Sequence, residues 1–187
     1  LGSPDTEFGR FTAEGPVHTV SLSPFLIAKY EVSQEEYETV MTGNTAGLDA
    51  TPSLATGDNL PVESVSWNDL HAVDGFLERT GLSLPSEAQW EYACRAGTTT
   101  VFSFGDSLSS KQANFRGTKP YGKGGLGSNF QRTTDVGSYD ANPWGFHDMH
   151  GNVWEWCFDW FGDYPAGPRI DTTGTESDSE NVVRGGS

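Results

Sequence analysis

Positive charge is scarce in this chain. Its 187 residues hold 11 lysines and arginines against 26 aspartates and glutamates, a net charge of −15. So acidic a surface repels the phosphates of nucleic acids and of anionic membranes, which makes both poor partners. Long apolar runs are missing too, and nothing approaches the ~18 residues of a membrane span. Cysteine is nearly absent: Cys94 and Cys157 stand alone, with no lysine or histidine beside either to activate a thiolate. The two thiols could pair with each other, pair outside the chain, or stay reduced in a core. Burial is the favoured reading, because free cysteine is among the most buried residue types. No signal-peptide pattern opens the sequence and no methionine begins it, which reads as a processed or excised piece. The acidity suits a secreted or periplasmic setting, but the compartment stays unknown.

What is abundant is glycine, at 23 residues, together with 10 prolines and 12% aromatics. That balance predicts one α+β domain over residues 1–187, loop-rich and pinned by large rings rather than built from long helices. The aromatics concentrate in Asn142 to Trp160, NPWGFHDMHGNVWEWCFDW, which holds four of the six tryptophans, Trp144, Trp154, Trp156 and Trp160. Rings bury large areas, so this stretch is expected at the centre of the domain. Gly151 breaks the run and Val153 to Trp156 lack a helical period, predicting an irregular, turn-rich strand.

The same stretch carries candidate chemistry. Asp148 and Glu155 supply charge, and an irregular path frees the backbone carbonyls of Gly151 and Val153. Together they could converge on one hard cation, with oxygen ligands of the kind Ca²⁺ takes. The spacing is not that of an EF-hand, and the plainer reading makes both carboxylates surface charges.

Three capping boxes predict three helices: Ser33 with Glu36, running to about Met41; Ser66 with Asp69, running to a stop at Gly81; and Ser86 with Gln89, running to about Ala96. The second helix is expected to turn Leu70, Val73, Phe76 and Leu77 inward. Val17 to Val32 reads as two strands around Ser23-Pro24, and Asn181 to Arg184 as one more. Short strands are expected at Val101 to Phe104 and Val136 to Tyr139. Leu1 to Gly15, Gly43 to Leu60, Gly105 to Thr134 and Asp163 to Glu180 read as loops.

Other motifs fall away. Gly117 to Gly124 nearly spells a phosphate-binding loop, but Gly124 replaces the hydroxyl that would hold Mg²⁺, Pro120 interrupts the cradle, and no helix pattern follows. His147 and His150 flank Asp148 without a third zinc ligand at a usual spacing, so satisfied or exposed histidines are the better reading. No G-x-S-x-G elbow is present.

Several blocks occur in order: SPFLIAKYEVSQEEY (23–37), PVESVSWNDL (61–70), LPSEAQWEYACRAGT (84–98), ANFRG (113–117), the 142–160 stretch and VVRGGS (182–187). Together they resemble the formylglycine-generating enzyme, or sulfatase-modifying factor, family over nearly the whole chain. The resemblance implies a C-type-lectin-related fold with structural Ca²⁺. One site would take the side chain of Asp148, the carbonyls of Gly151 and Val153, and the carboxylate of Glu155. A second would begin at Asn114 and the carbonyl of Phe115, but its later acidic position falls where this chain offers only Ser128 and Asn129.

The family activity oxidises a sulfatase cysteine to formylglycine with O₂ and Cu(I) held by two cysteines, a soft ion on thiolates. In the family that pair follows the GGS block. Cys94 matches a position that in some members forms a disulfide with a later partner, and Cys157 is not the catalytic position. Two functions follow: a calcium-binding, non-catalytic relative that binds a protein or peptide ligand, such as the variable proteins of diversity-generating retroelements, or the N-terminal part of a copper-dependent oxidase. Copper is implied only if a cysteine pair lies outside this chain. The iron-dependent sulfoxide synthases rank last, for want of a His-rich bundle. A chain ending at the 181–184 strand would leave that edge and the faces of Trp154 and Trp156 uncovered, so a complementing C-terminal segment is expected.

Overall fold

Serine N-caps begin three of the four helices of this computed structural model, which describes residues 1–164, 166–174 and 180–186. Helix α1, Gln34–Met41, opens on Ser33, whose hydroxyl accepts the Glu36 N–H while the Glu36 carboxylate accepts the Ser33 N–H at 2.9 Å. Such reciprocal bonds satisfy amide groups that the first turn leaves without partners. Ser66 and Asp69 do the same for α2, Trp67–His71, and Ser86 and Gln89 for α4, Glu87–Arg95.

The helix expected between Ser66 and Gly81 is two helices, α2 and α3, the latter spanning Phe76–Thr80. Asp74 adopts a left-handed φ of +59°, and Gly75 approaches the Ala72 and Asp69 carbonyls so closely that a Cβ would lie 2.7 Å from each. The break turns Val73 out to solvent, 82% exposed, while Phe76 stays buried. Gly81 then ends α3 in the left-handed conformation, at little cost for a residue without Cβ.

Among the described residues, four strands form two pairs. β1 (Val20–Ser21) runs parallel to β3 (Arg169–Ile170), and β2 (Glu155–Trp160) runs antiparallel to β4 (Asn181–Arg184). In the second pair Glu155 faces Arg184 and Trp156 faces Val183, with a register irregularity before Trp160 meets Asn181. β4 matches its expected bounds. β3 lies in a stretch read as loop, since two residues carry no period. Phe102 makes only an isolated bridge with Gly105, and residues 136–139 form a turn closed by Ser138 N–H on Asp135 C=O at 3.1 Å. The second strand expected after Ser23-Pro24 joins no ladder among the described residues.

Alternation along β2 decides what is buried. Cys157 and Asp159 point inward, and Phe158 faces out. Trp154 is 59% exposed and Trp144 45%, so these rings of the aromatic stretch lie at the rim rather than at the centre. The main core is built instead on Trp90, Ala93 and Cys94 of α4 with Met149, Cys157 and Val182. Tyr37 of α1 stacks on Phe76 of α3, ring centres 5.3 Å apart, in a second cluster with Met41. Beneath β2, Asp159 accepts the Glu87 N–H at the start of α4 at 2.8 Å, and Glu87 pairs with Arg184 and accepts the Tyr164 hydroxyl at 2.7 Å. Burial pushes Asp159 up to about 6.

Candidate metal centre

The loop between Met149 and β2 is held from three sides. Asn152 is buried with a left-handed φ of +77°. Its N–H donates to the Asn114 carbonyl at 2.7 Å, and its side chain accepts from Asn114 Nδ2 at 3.1 Å and Thr134 N–H at 2.9 Å. Its own Nδ2 donates to Glu31 Oε2 at 2.7 Å. Gly151 lies so near the Asn114 carbonyl that a Cβ there would collide with it. Closeness, not a positive φ, requires glycine here.

Asp148 and Glu155 flank this braced loop, near enough that the charge of Asp148 acts on Glu155. Asp148 Oδ2 accepts the Gly137 N–H at 2.6 Å, and Glu155 Oε2 accepts the Trp90 indole N–H at 3.1 Å. The second oxygen of each carboxylate, Asp148 Oδ1 and Glu155 Oε1, is buried with no hydrogen-bond partner. Leaving a buried carboxylate oxygen unpaired is costly. Among the described residues no loop or side-chain hydrogen bond ends on the carbonyls of Gly151 or Val153. Both the Val153 carbonyl and Glu155 Oε1 lie near Gly185, 3.0 and 3.5 Å from where its Cβ would be.

A third acid, Glu31, joins them. Its carboxylate accepts from Asn152 and, at 3.3 Å, from the Val153 N–H. Desolvation and then the negative charge of Glu155 push Glu31 up to about 9. Desolvation chiefly, with Asp148 adding, lifts Glu155 to about 7, and desolvation raises Asp148 as well. Burial and mutual repulsion thus make the three acids resist ionising together. No three acidic, histidine or cysteine side chains among the described residues close into a metal cage by themselves. A cation here would therefore take carbonyl oxygens as well, the mixed donor set that Ca²⁺ accepts.

Glu31 escaped the sequence reading because it lies 121 residues from Asn152 and sits in the apolar stretch leading to α1 without a companion acid. Asn114 and Phe115 lie one loop away and already make hydrogen bonds. Asn114 Nδ2 donates to the Arg132 carbonyl at 2.8 Å, and the Phe115 carbonyl accepts the Gly117 N–H at 2.6 Å. The histidines do not converge. His147 Nδ1 meets the Tyr139 carbonyl at 2.9 Å, whereas His150 faces Ser103 and Cys94 between Phe102 and Phe104. Burial, with Arg95 nearby, lowers His150 to about 4. Cys94 and Cys157 are both free and buried, and burial raises both thiols. Gly117 to Gly124 lies in turns tied to Leu108 through Tyr121, with no helix after it.

Short capped helices, sparse strands and a braced acidic loop define a sulfatase-modifying-factor domain. The chain belongs to that family, since residues 2–187 match the sulfatase-modifying factor enzyme 1-like domain. It is 30% identical to a formylglycine-generating enzyme of Thermomonospora curvata, an alignment covering 100% of this chain and 78% of that protein. It is 38% identical to the formylglycine-generating enzyme of Streptomyces coelicolor over 69% of this chain, which spans 42% of that protein. The fold also resembles Treponema denticola variable protein 1, with a TM-score of 0.70 and 25% identity, covering 100% of this chain and 79% of that one.

Proposed function

We propose that this chain is a calcium-stabilised binding domain of the family, taking a protein or peptide ligand, and that residues 1–187 do not themselves carry oxidase chemistry. The observation that carries the calcium reading is the pair of unpartnered, buried oxygens, Asp148 Oδ1 and Glu155 Oε1. With the carbonyls of Gly151 and Val153 they would hold the ion, which supplies the charge that three acids lack. Glu31 would orient the loop through Asn152 and the Val153 N–H. The binding role draws on the likeness to a variable protein and on the thiols: Cu(I) needs accessible thiolates, and both cysteines here are buried.

A second reading, the larger part of a copper-dependent formylglycine-generating oxidase, is favoured by the match to the Thermomonospora enzyme over 100% of this chain and 78% of that protein. The full-length protein, isolated with its native metals, separates the two. Stoichiometric calcium without copper, and no oxidation of a sulfatase-derived cysteine peptide, supports the binding domain. Copper with turnover of the peptide establishes the oxidase. Absence of calcium, with no thermal shift on adding it, overturns the metal centre.

A further inference from the structure

Positive charge is scarce over the whole chain but not over residues 107–134. That segment holds Lys111, Arg116, Lys119, Lys123 and Arg132, five of the 11 basic residues, and none of the 26 acidic ones. All five are exposed, and among the described residues none forms a salt bridge. Elsewhere the cations are engaged. Arg10 pairs with Asp5, Arg79 with Asp74, Arg95 with Glu91 and Arg184 with Glu87, while Lys29 lies over the Tyr30 ring. Of the cations outside the segment, only Arg169 has neither kind of partner among the described residues. Charge sorted in this way creates a local positive potential on an otherwise negative molecule, and such a potential attracts and orients an anionic partner.

The segment is a tied lobe, not a trailing coil. Leu108 and Tyr121 exchange N–H to carbonyl bonds at 3.2 and 3.1 Å, and the Gly127 N–H donates to the Gly117 carbonyl at 2.9 Å. Asn114 Nδ2 donates to the Arg132 carbonyl at 2.8 Å, and the Lys123 N–H to Ser107 Oγ at 3.0 Å. Glycine permits these approaches: a Cβ on Gly117 would strike the Ser128 carbonyl, and one on Gly124 the Leu108 carbonyl. The same frame that carries the five cations also carries two exposed apolar side chains, Leu126 and Phe130.

We propose that the 107–134 lobe is the surface on which this domain takes its ligand, and that the ligand is an acidic peptide segment with an apolar residue among its carboxylates. The cations would meet the carboxylates, and Leu126 or Phe130 would cover the apolar side chain. For the class of ligand the inference rests on the binding-domain reading; it makes no use of the calcium site. A short acidic segment suits the lobe better than an anionic membrane or a nucleic acid. Screening confines an exposed charge to a range of about 10 Å at 0.1 M salt. A ligand confined to the lobe therefore meets the cations, whereas an extended polyanion also meets the surface that carries the acids. Complementary charge of this kind sets specificity and the rate of encounter more than raw affinity.

The test uses the full-length protein and a fluorescein-labelled octapeptide of glutamates and aspartates with one central phenylalanine, read by fluorescence anisotropy. Binding is expected at low salt and should weaken as salt rises to about 0.3 M. Replacing Lys111→Gln, Lys119→Gln and Lys123→Gln together is expected to raise Kd by about tenfold, because exposed charge pairs each contribute modestly. The corresponding Lys→Arg triple variant should keep the parent Kd, and so should Arg169→Gln, an exposed cation outside the lobe. Equal urea midpoints for parent and triple variant exclude a folding defect. No binding of the octapeptide, or equal losses in the triple variant and Arg169→Gln, overturns the proposal. So does tighter binding of duplex DNA or phosphatidylserine vesicles through the same lysines, or an oligomer of this chain that the triple variant disperses. Failure of the binding-domain reading shows separately, as copper with turnover of a sulfatase-derived cysteine peptide in the same preparation.

Discussion

The Trp90 indole N–H donates to Glu155 Oε2 at 3.1 Å, tying the core helix α4 to the first residue of β2. That bond fixes one oxygen of the carboxylate and leaves Oε1 buried without a hydrogen-bond partner. Trp90→Phe keeps an aromatic ring but removes the donor, and a hydrogen bond to a charged group contributes about 1.5–3 kcal/mol. With saturating calcium, urea unfolding of Trp90→Phe, Glu155→Gln and the double variant is expected to give a coupling energy of about 1–2 kcal/mol. A coupling indistinguishable from zero removes Trp90 as the residue that positions Glu155.

Stability should depend on pH in opposite senses with and without the ion. Glu31 and Glu155 are raised to about 9 and about 7, above their ordinary 4.5. The metal-free folded protein therefore binds more protons than the unfolded chain, and their contribution is complete below pH ~4.5 and is lost as pH rises toward 9. Calcium displaces those protons, so the stabilisation it gives should grow over the same range. Thermal melts at pH 5, 7 and 9 in EGTA should fall steadily, and the gain on adding calcium should be largest at pH 9. A calcium effect that shrinks as pH rises contradicts the site.

Asp148 combines two demands that substitution can separate. Its φ of +58° lies in the left-handed region, where asparagine is tolerated and alanine strained. Asp148→Asn should therefore fold about as stably as the parent in EGTA, or more so, because a buried negative charge is gone. Its affinity for calcium should drop by about tenfold or more, since charge count tunes such sites. Asp148→Ala should lose both affinity and about 1–2 kcal/mol of stability through backbone strain. Isothermal titration with calcium and urea melts in EGTA resolve the two effects; equal stability of the two variants in EGTA would show that the backbone conformation costs little.

Local chemistry was legible in the sequence where one residue answers to a neighbour three or four positions away. Ser33 with Glu36, Ser66 with Asp69 and Ser86 with Gln89 each closed the box their spacing announced. The break at Asp74-Gly75 was not, because an apolar period through Val73 and Phe76 is compatible with one helix until the carbonyls around Gly75 are seen. The family blocks pointed to Asp148, Gly151, Val153 and Glu155, and the structure leaves one oxygen of each of the two carboxylates buried without a hydrogen-bond partner. They did not point to Glu31, whose part depends on contacts across more than a hundred residues. Tryptophan count misled about the centre of the domain: Trp144 and Trp154 lie exposed at its rim, Trp156 is only half-buried with its indole N–H on the Val65 carbonyl, and it is Cys157 that the strand buries fully.

Gly151 offers a test of the loop that needs no metal. A methyl group at this position would run into the Asn114 carbonyl and sit 3.3 Å from the Ala113 Cβ. The same Asn114 carbonyl accepts the Asn152 N–H, so the backbone cannot retreat without giving up that bond. Overpacking of this kind costs about 1–3 kcal/mol, and loss of a buried hydrogen bond adds about 1 more. Gly151→Ala is thus expected to lose about 2–4 kcal/mol in urea unfolding, in EGTA as well as in calcium. Gly125→Ala, whose Cβ meets nothing within 4 Å, should be neutral or stabilise by about 0.5 kcal/mol through the unfolded chain. If both changes prove neutral, the loop is looser than its contacts imply, and the carbonyls of Gly151 and Val153 are not held ready for an ion.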